Sequence, residues 1–88
     1  MNATLRDFQT LASVGPATAG DLWQLGYRSI AELAHADPEE MYRRMDAIQG
    51  PGLDRCVLYV FRCVVYQAQT PQPDPELTKW WAWKDAKR

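Results

Sequence analysis

Two glycine-containing turns, each followed by an apolar helix, are the places where this sequence could do chemistry. The first turn is Gly15-Pro16, which leads into a run of small residues, and the second is Gly50-Pro51-Gly52. The first N–H groups of an α-helix have no intrahelical acceptor, and the helix dipole adds about half a positive charge at that end. Both turns therefore predict backbone N–H groups arranged to suit a phosphate.

The two turns belong to an internal repeat. Residues 13–16 read SVGP and are followed by Ala19 and Leu22, while residues 50–53 read GPGL and are followed by Cys56 and Tyr59. A small residue four positions after the glycine allows two helices to approach closely in each copy. The repeat predicts two hairpins, joined by a short connecting helix and related by a pseudo-twofold axis.

No group of side chains in the sequence matches a catalytic or metal-binding pattern. The single histidine, His35, has no clustered cysteines, so neither a zinc site nor a His-based nucleophile is supported. Cys56 and Cys63 would lie about 10 Å apart on one helix, too far for a disulfide, and we interpret them as buried thiols. The acidic residues at 37–40 are typical of a helix N-terminus. We therefore expect a protein that is not an enzyme and has no cofactor or metal site.

Length and composition predict one folded domain. The chain has 88 residues, 47% of them hydrophobic, with four tryptophans, which excludes a disordered chain of low hydrophobicity and high charge. The net charge is −1, so the molecule is not a polycation. Residues 1–42 carry two basic and six acidic side chains, whereas residues 43–88 carry eight basic and five acidic ones. A polyanion is therefore expected to meet the second half more favourably.

Neither a secretory signal nor a membrane span is expected. The N-terminal residues lack a basic start followed by an apolar run. The most apolar stretch, residues 53–68, is too short to span a membrane and contains Arg55 and Arg62. These features predict a cytoplasmic protein with no membrane partner, in which both cysteines stay reduced.

Helical periodicity and capping signals predict an all-α fold of five or six helices. The expected helices cover about 4–13, 16–26, 29–35, 37–48, 53–68 and 74–83. The fifth is apolar nearly all round, which is typical of the buried centre of a small bundle. Residues 70–73 read TPQP and predict an extended linker. We divide this single domain into a core at 1–69 and a Pro-rich linker with a Trp-rich C-terminal helix, packed on the core, at 70–88.

Several segments resemble known families. Residues 11–22, LASVGPATAGDL, resemble the helix-hairpin-helix motif, and the repeat resembles the tandem modules of DNA repair and recombination proteins. Residues 54–85, DRCVLYVFRCVVYQAQTPQPDPELTKWWAWKD, resemble the small bacterial pathogenicity locus family, some members of which are labelled mitomycin resistance proteins. Residues 25–44, LGYRSIAELAHADPEEMYRR, are similar to the C-terminal domain of the competence regulator TfoX. The resemblance implies a tandem helix-hairpin-helix fold, DNA binding and a role in DNA-damage tolerance.

The resemblance also implies which residues contact DNA. In helix-hairpin-helix proteins the hairpin N–H groups hold a phosphate, directly or through a monovalent cation, and read no sequence. The corresponding donors here are Gly15, Ala17 and Thr18 in the first turn and Gly52, Leu53 and Asp54 in the second, with Arg55 as a charged contact. Ser13 stands where the motif has its first glycine, and Ala17 and Asp54 stand where DNA-binding copies commonly carry lysine. These departures predict weak binding at physiological salt.

The C-terminal tryptophans have two interpretations. In one, the rings pack over the end of the long helix, because each ring buries a large area. In the other, Trp81 or Trp83 stacks on unpaired bases or contacts a protein partner, with positive charge nearby from Lys79, Lys84, Lys87 and Arg88. In the second case we expect this tail to contact nucleic acid more readily than the first turn does.

Two functions remain open from the sequence. The leading one is weak, sequence-independent DNA binding through the hairpin N–H groups and the basic C-terminal half. The alternative is a protein-interaction adaptor or a homodimerising structural domain that binds no nucleic acid. In that case both turns serve only to pack helices together.

Overall fold

The computed structural model describes residues 2–84, and the regular structure in that range is helical. The α-helices are α1 (Ala3–Phe8), α2 (Pro16–Gln24), α3 (Ile30–Leu33), α4 (Pro38–Gln49) and α5 (Cys56–Gln69). Two 3-10 helices follow, η1 (Pro75–Thr78) and η2 (Trp80–Trp83). The expected all-α fold is confirmed. Two basic residues of the expected C-terminal contact, Lys87 and Arg88, lie outside the described residues.

The capping signals in the middle of the chain start helices where the sequence predicts. The Ser29 hydroxyl accepts the Glu32 N–H at 3.3 Å, and the Asp37 carboxylate accepts the Glu39 N–H at 2.9 Å. The Glu32 carboxylate also accepts the N–H of Arg28 at 2.6 Å, one residue before the cap. This reciprocal arrangement is a variant of the capping box and fixes the start of the four-residue α3.

Helix α5 is the centre of the molecule. Helices α3 and α4 and both 3-10 helices pack against it, and α1 packs against α2. The fully buried large side chains come from every α-helix: Phe8, Leu22, Leu33, Met41, Met45, Leu58, Phe61 and Val64. The prediction that the long apolar helix is buried is confirmed. None of the helices in residues 2–84 is long and apolar enough to cross a membrane.

Helix α1 ends at Phe8, several residues before the expected end. Beyond it, the N–H of Thr10 donates to the Asp7 carbonyl and the N–H of Leu11 to the Phe8 carbonyl, which are three-residue rather than four-residue steps. The Thr10 hydroxyl donates to the same Asp7 carbonyl at 2.6 Å. These bonds tighten the chain into turns and replace the last expected helical turns.

The Trp-rich segment differs from the expected single helix, because it forms η1 and η2 with Lys79 in an extended conformation between them. Two of its carbonyl groups accept hydrogen bonds from side chains, one within the segment and one in the first turn. The Leu77 carbonyl accepts the indole N–H of Trp83 at 2.9 Å, and the Thr78 carbonyl accepts the Ser13 hydroxyl at 2.8 Å. Tertiary hydrogen bonds therefore take the acceptors that a continuous α-helix would use.

Candidate nucleic-acid interface

The first glycine-containing turn connects α1 to α2 through a left-handed residue. Ser13 has a φ of 69°, whereas Gly15 has a φ of −98° and lies immediately before Pro16, the first residue of α2. The left-handed conformation favours glycine, so a serine there carries a backbone cost of about 1–2 kcal/mol. Ser13 therefore stands where the helix-hairpin-helix motif has a glycine, and its hydroxyl makes hydrogen bonds that a glycine could not make.

Three backbone donors lie together at the start of α2. The first bonded amide of the helix is that of Ala19, which donates to the Gly15 carbonyl at 3.0 Å. Within residues 2–84, the N–H groups of Gly15, Ala17 and Thr18 have no acceptor. Gly15 and Ala17 are exposed, and Thr18 is half-buried. This turn thus presents the donors that the sequence predicts, on a nine-residue helix.

The second turn has similar residue types but a different backbone path. Gly50 and Gly52 have φ values of 98° and 93°, so Gly52 is left-handed where its counterpart Gly15 is not. Helix α5 begins at Cys56, three residues later than the repeat predicts. The two turns are therefore not equivalent in conformation, although the sequence repeats.

Carboxylates of the protein itself bind the N–H groups of the second turn. The N–H of Leu53 donates to the Asp46 carboxylate at 2.8 Å, and the N–H of Cys56 donates to the Asp54 carboxylate at 2.9 Å. The backbone N–H of Cys56 is the main cause that lowers the pKa of Asp54. A carboxylate of the protein thus already binds one of the three predicted donors, the N–H of Leu53, whereas the N–H of Cys56 lies outside the predicted set.

Arg55, the charged contact predicted for the second turn, is exposed and immediately precedes α5. Its guanidinium lies over the ring of Tyr42, 5.7 Å from the ring centroid. The Tyr42 hydroxyl in turn donates to the carbonyl of Leu53. Arg55 is therefore placed beside the turn, next to the acidic residue Asp54 in the sequence.

Asp21 places negative charge on α2, about one helical turn after the first-turn donors. Partial burial raises the pKa of this carboxyl, an effect that the hydrogen bond from Gln49 partly offsets. Gln49 Nε2 donates to the Asp21 carboxylate at 3.1 Å and connects α2 to the end of α4. The first turn therefore has free donors but an acidic side chain nearby, which weakens its attraction for a phosphate.

The structure separates the two candidate stacking residues. Trp83 is half-buried: its ring centroid lies 5.3 Å from that of Tyr66, and its carbonyl accepts a hydrogen bond from Arg62 at 2.8 Å. Trp81, in contrast, has 54% of its surface exposed. Its ring meets that of Trp80 edge to face, with centroids 5.8 Å apart. Trp83 therefore packs on α5, as the first interpretation predicts, whereas the ring of Trp81 is available to another molecule. Lys84, the last described residue, is exposed beside this segment.

Two polar side chains hold the first turn in place: Ser13, which the sequence analysis noted only as a departure from the motif, and Gln67, which it did not single out. The Ser13 hydroxyl donates to the Thr78 carbonyl and accepts the Trp80 N–H at 3.2 Å. The Gln67 side chain pairs with both backbone groups of Ala12, donating to its carbonyl and accepting its N–H, each at 2.9 Å. For the contact of Ser13 with Thr78 and Trp80, the signal in the sequence was a serine at the position where the motif has glycine. Gln67 carried none, because its partner is 55 residues away.

Neither thiol has the properties of a nucleophile. Burial raises the pKa of Cys63, and burial together with the Asp54 carboxylate raises the pKa of Cys56. Both groups therefore stay protonated near neutral pH. The described part of the chain also contains no cluster of three His, Cys, Asp or Glu side chains that could hold a metal ion.

Comparisons with known proteins give one family and one curated relative. A family model described as "Pathogenicity locus" matches residues 1–88, a range that includes both turns and the tryptophans. The chain is 37% identical over 75 residues to a Streptomyces lavendulae protein named mitomycin resistance protein McrB. The aligned region covers 85% of this chain and 68% of that relative. No solved structure matches the chain.

Proposed function

The chain belongs to the pathogenicity locus family, and on this premise we propose that it binds DNA weakly and without sequence preference. The proposed contact is a DNA phosphate held by the N–H groups of Gly15, Ala17 and Thr18. We further propose that α1, the turn and α2 form a helix-hairpin-helix. The observation that carries the proposal is the group of three donors without an acceptor at one solvent-facing helix start.

The second turn supports this proposal indirectly. Its N–H groups hold carboxylates supplied by Asp46 and Asp54, which are oxygen anions as a phosphate is. The first turn has no such carboxylate within residues 2–84. We therefore assign the phosphate contact to the first turn and a structural role to the second. The basic charge of residues 43–88 alone would favour the second turn as the phosphate site, and our assignment differs from that expectation.

The expected affinity is low and depends on salt. Each neutralised phosphate contributes about 0.9 to the slope of log K against log salt for duplex DNA. A backbone site without a lysine offers only the partial charge of the helix N-terminus, so we expect a slope smaller than this value, and Asp21 lowers it further. The name of the Streptomyces relative refers to mitomycin resistance, and we propose DNA-damage tolerance as the setting for this binding.

Fluorescence anisotropy with a labelled DNA duplex, at low and at moderate salt, tests the proposal. The informative variant is Ala17→Glu, which puts a negative charge beside the proposed phosphate. An acidic residue in the first turn of a helix favours folding, so loss of binding would not reflect unfolding. We expect the wild type to bind at low salt and the variant to bind about fivefold more weakly, equivalent to about 1 kcal/mol.

Ala3→Glu is the matched control, because Ala3 is also an exposed alanine in the first turn of a helix. It adds the same charge at the start of α1, away from the proposed contact. Equal loss of affinity in both variants would show that the change in net charge alone weakens DNA binding. That result would contradict the assignment of the contact to the first turn. Absence of binding by the wild type at low salt would contradict the function itself.

The adaptor or homodimer remains the second candidate function, supported by two exposed large hydrophobic side chains. Ile48 on α4 is 47% exposed and Trp81 is 54% exposed. A self-associating protein would show a sedimentation coefficient that rises with protein concentration and falls when Ile48 or Trp81 is replaced by alanine. That result, together with no DNA binding, would favour this candidate over the first.

A further inference from the structure

We infer that Trp81 is a stacking platform for an unpaired nucleobase, so that single-stranded DNA is the preferred ligand. This inference rests on the proposed function and specifies its substrate class. In a duplex the bases are already stacked on each other, whereas every unpaired base offers a face to an aromatic side chain. A protein with a phosphate site and an accessible tryptophan therefore distinguishes single strands from duplexes.

The exposure of Trp81 sets it apart from its neighbours. Trp80 and Trp83 are half-buried, and the indole N–H of Trp83 is used by the Leu77 carbonyl. Trp81 has more than half of its surface in contact with solvent. Its partner ring, that of Trp80, meets it at an interplanar angle of 87°, an edge-to-face contact. The interaction with Trp80 therefore does not stack the two rings face to face, and it leaves ring surface accessible.

The backbone around Trp81 is held on both sides. Before it, the Trp80 N–H donates to the Ser13 hydroxyl at 3.2 Å. After it, the Ala82 N–H donates to the Lys79 carbonyl at 3.0 Å, and the Trp83 carbonyl accepts from Arg62. A ring on a fixed backbone loses little conformational freedom when a ligand stacks on it, and this favours binding.

The same hydrogen bond places Trp81 near the first turn. Gly15 is two residues from Ser13, and Trp81 is one residue from Trp80, so their Cα atoms lie within about 18 Å of each other. A short single strand can therefore reach both, with a phosphate at the α2 N–H groups and a base on Trp81. Lys84, three residues after Trp81, is also exposed.

Anisotropy titrations with a labelled oligothymidylate and a duplex of equal length test the inference on the intact chain. We expect Trp81→Ala to weaken binding of the single strand about tenfold and to leave duplex binding unchanged. Ile48→Ala is the matched control, since Ile48 is, like Trp81, an exposed large hydrophobic side chain among residues 2–84 and lies on α4. This control should leave both affinities unchanged. Trp81→Phe, which keeps an aromatic face, should retain most of the single-strand affinity.

The possible results are distinct. Equal loss of single-strand and duplex binding in Trp81→Ala, or no loss in either, overturns the stacking role while the phosphate contact stands. Binding of neither DNA by the wild type overturns the proposed function instead. If Trp81→Ala does not fold, quenching of wild-type tryptophan fluorescence by the oligothymidylate, absent in Trp81→Phe, supports the inference. Quenching that persists in Trp81→Phe overturns it.

Discussion

Ser13 is bonded to Trp80 across 67 residues of sequence, and its hydroxyl accepts the Trp80 N–H at 3.2 Å. The same hydroxyl donates to the Thr78 carbonyl at 2.8 Å. A left-handed serine costs backbone energy that a glycine would not. The side chain offsets that cost by connecting the first turn to the C-terminal segment, so the substitution of the motif's glycine has a structural explanation.

Replacing Ser13 separates the backbone cost from the hydroxyl contacts. Ser13→Ala keeps the left-handed strain and loses both hydrogen bonds, so we expect it to lower the free energy of unfolding by about 1–3 kcal/mol. Ser13→Gly loses the same bonds but removes the strain, and should be about 1 kcal/mol more stable than Ser13→Ala. Urea unfolding followed by tryptophan fluorescence measures both. An alanine variant as stable as the wild type would show that the contacts do not contribute.

Gln67 should matter more for stability than its near neighbour Gln69. Gln67 makes two hydrogen bonds to the backbone of Ala12, whereas Gln69 makes one to the carbonyl of Ala34. We expect Gln67→Ala to lower the free energy of unfolding by about 2 kcal/mol and Gln69→Ala by about 1 kcal/mol. Thermal and urea unfolding of the two variants test the difference, and equal effects would contradict it.

A lysine at position 17 should strengthen DNA binding. The side chain would add a positive charge beside the three unpaired donors, where DNA-binding copies of the motif commonly have lysine. We expect Ala17→Lys to bind duplex DNA more tightly at low salt and to raise the salt slope by about 0.9. Ala3→Lys, with the same charge at the start of α1, should change the slope less. A slope equal in the two variants would argue against a contact at the first turn.

Acid conditions should remove a stabilising contribution of Asp54. The N–H of Cys56 lowers the pKa of Asp54 below its ordinary value of 3.8. The unfolded chain therefore takes up this proton at a higher pH than the folded protein does. The contribution is complete above pH 3.8 and is lost as the pH falls through the lower folded value. Asp54→Asn should accordingly show a smaller loss of thermal stability below pH 3.8 than the wild type.

The contribution of Asp21 to stability should change with pH in the direction opposite to that of Asp54. Burial raises its pKa above 3.8, so the folded protein binds this proton more tightly than the unfolded chain. Its contribution to stability is therefore greatest at low pH and decreases as the pH rises from 3.8 through the folded pKa. Asp21→Asn keeps an oxygen acceptor for Gln49 and should raise the melting temperature at neutral pH. A lower melting temperature would show that the charged carboxylate is required.

The two cysteines should react slowly with a thiol reagent. The pKa values of Cys56 and Cys63 are both raised, and Cys63 is also buried. In the native protein we expect only Cys56 to react, at a rate that rises with pH beyond the range of an ordinary thiol. Cys63 should react only on unfolding in urea. Labelling followed by mass spectrometry of peptides identifies which residue is modified.

Local signals predicted the helices well in the middle of the chain. The Ser29 and Asp37 caps start α3 and α4, and the apolar run after Arg55 is the central helix. Each of these depends on residues within one or two turns of each other, which a sequence displays directly. The family resemblance stated from the motifs is likewise confirmed.

Contacts between distant residues decided the features that the sequence did not predict. The Trp-rich segment forms two 3-10 helices instead of one α-helix, and the carbonyls of Thr78 and Leu77, at the break between them, bond to the Ser13 hydroxyl and to an indole N–H. Gly15 and Gly52 also differ in conformation, and the Asp46 carboxylate binds the second turn at the N–H of Leu53, whereas no carboxylate within residues 2–84 binds the first turn. A repeat in residue types does not reveal which copy has a side chain bound to its N–H groups.

The bonds from Ser13 to the C-terminal segment also determine when this chain can complete its fold during synthesis. The turn at residues 12–15 emerges from the ribosome early, yet its side-chain partners are 55 to 67 residues further along. Until Trp80 has emerged, the strained serine has no compensating hydrogen bonds and the first turn remains loosely held. Folding of residues 2–84 should therefore complete in one late step after Trp80 has emerged, rather than helix by helix from the N-terminus.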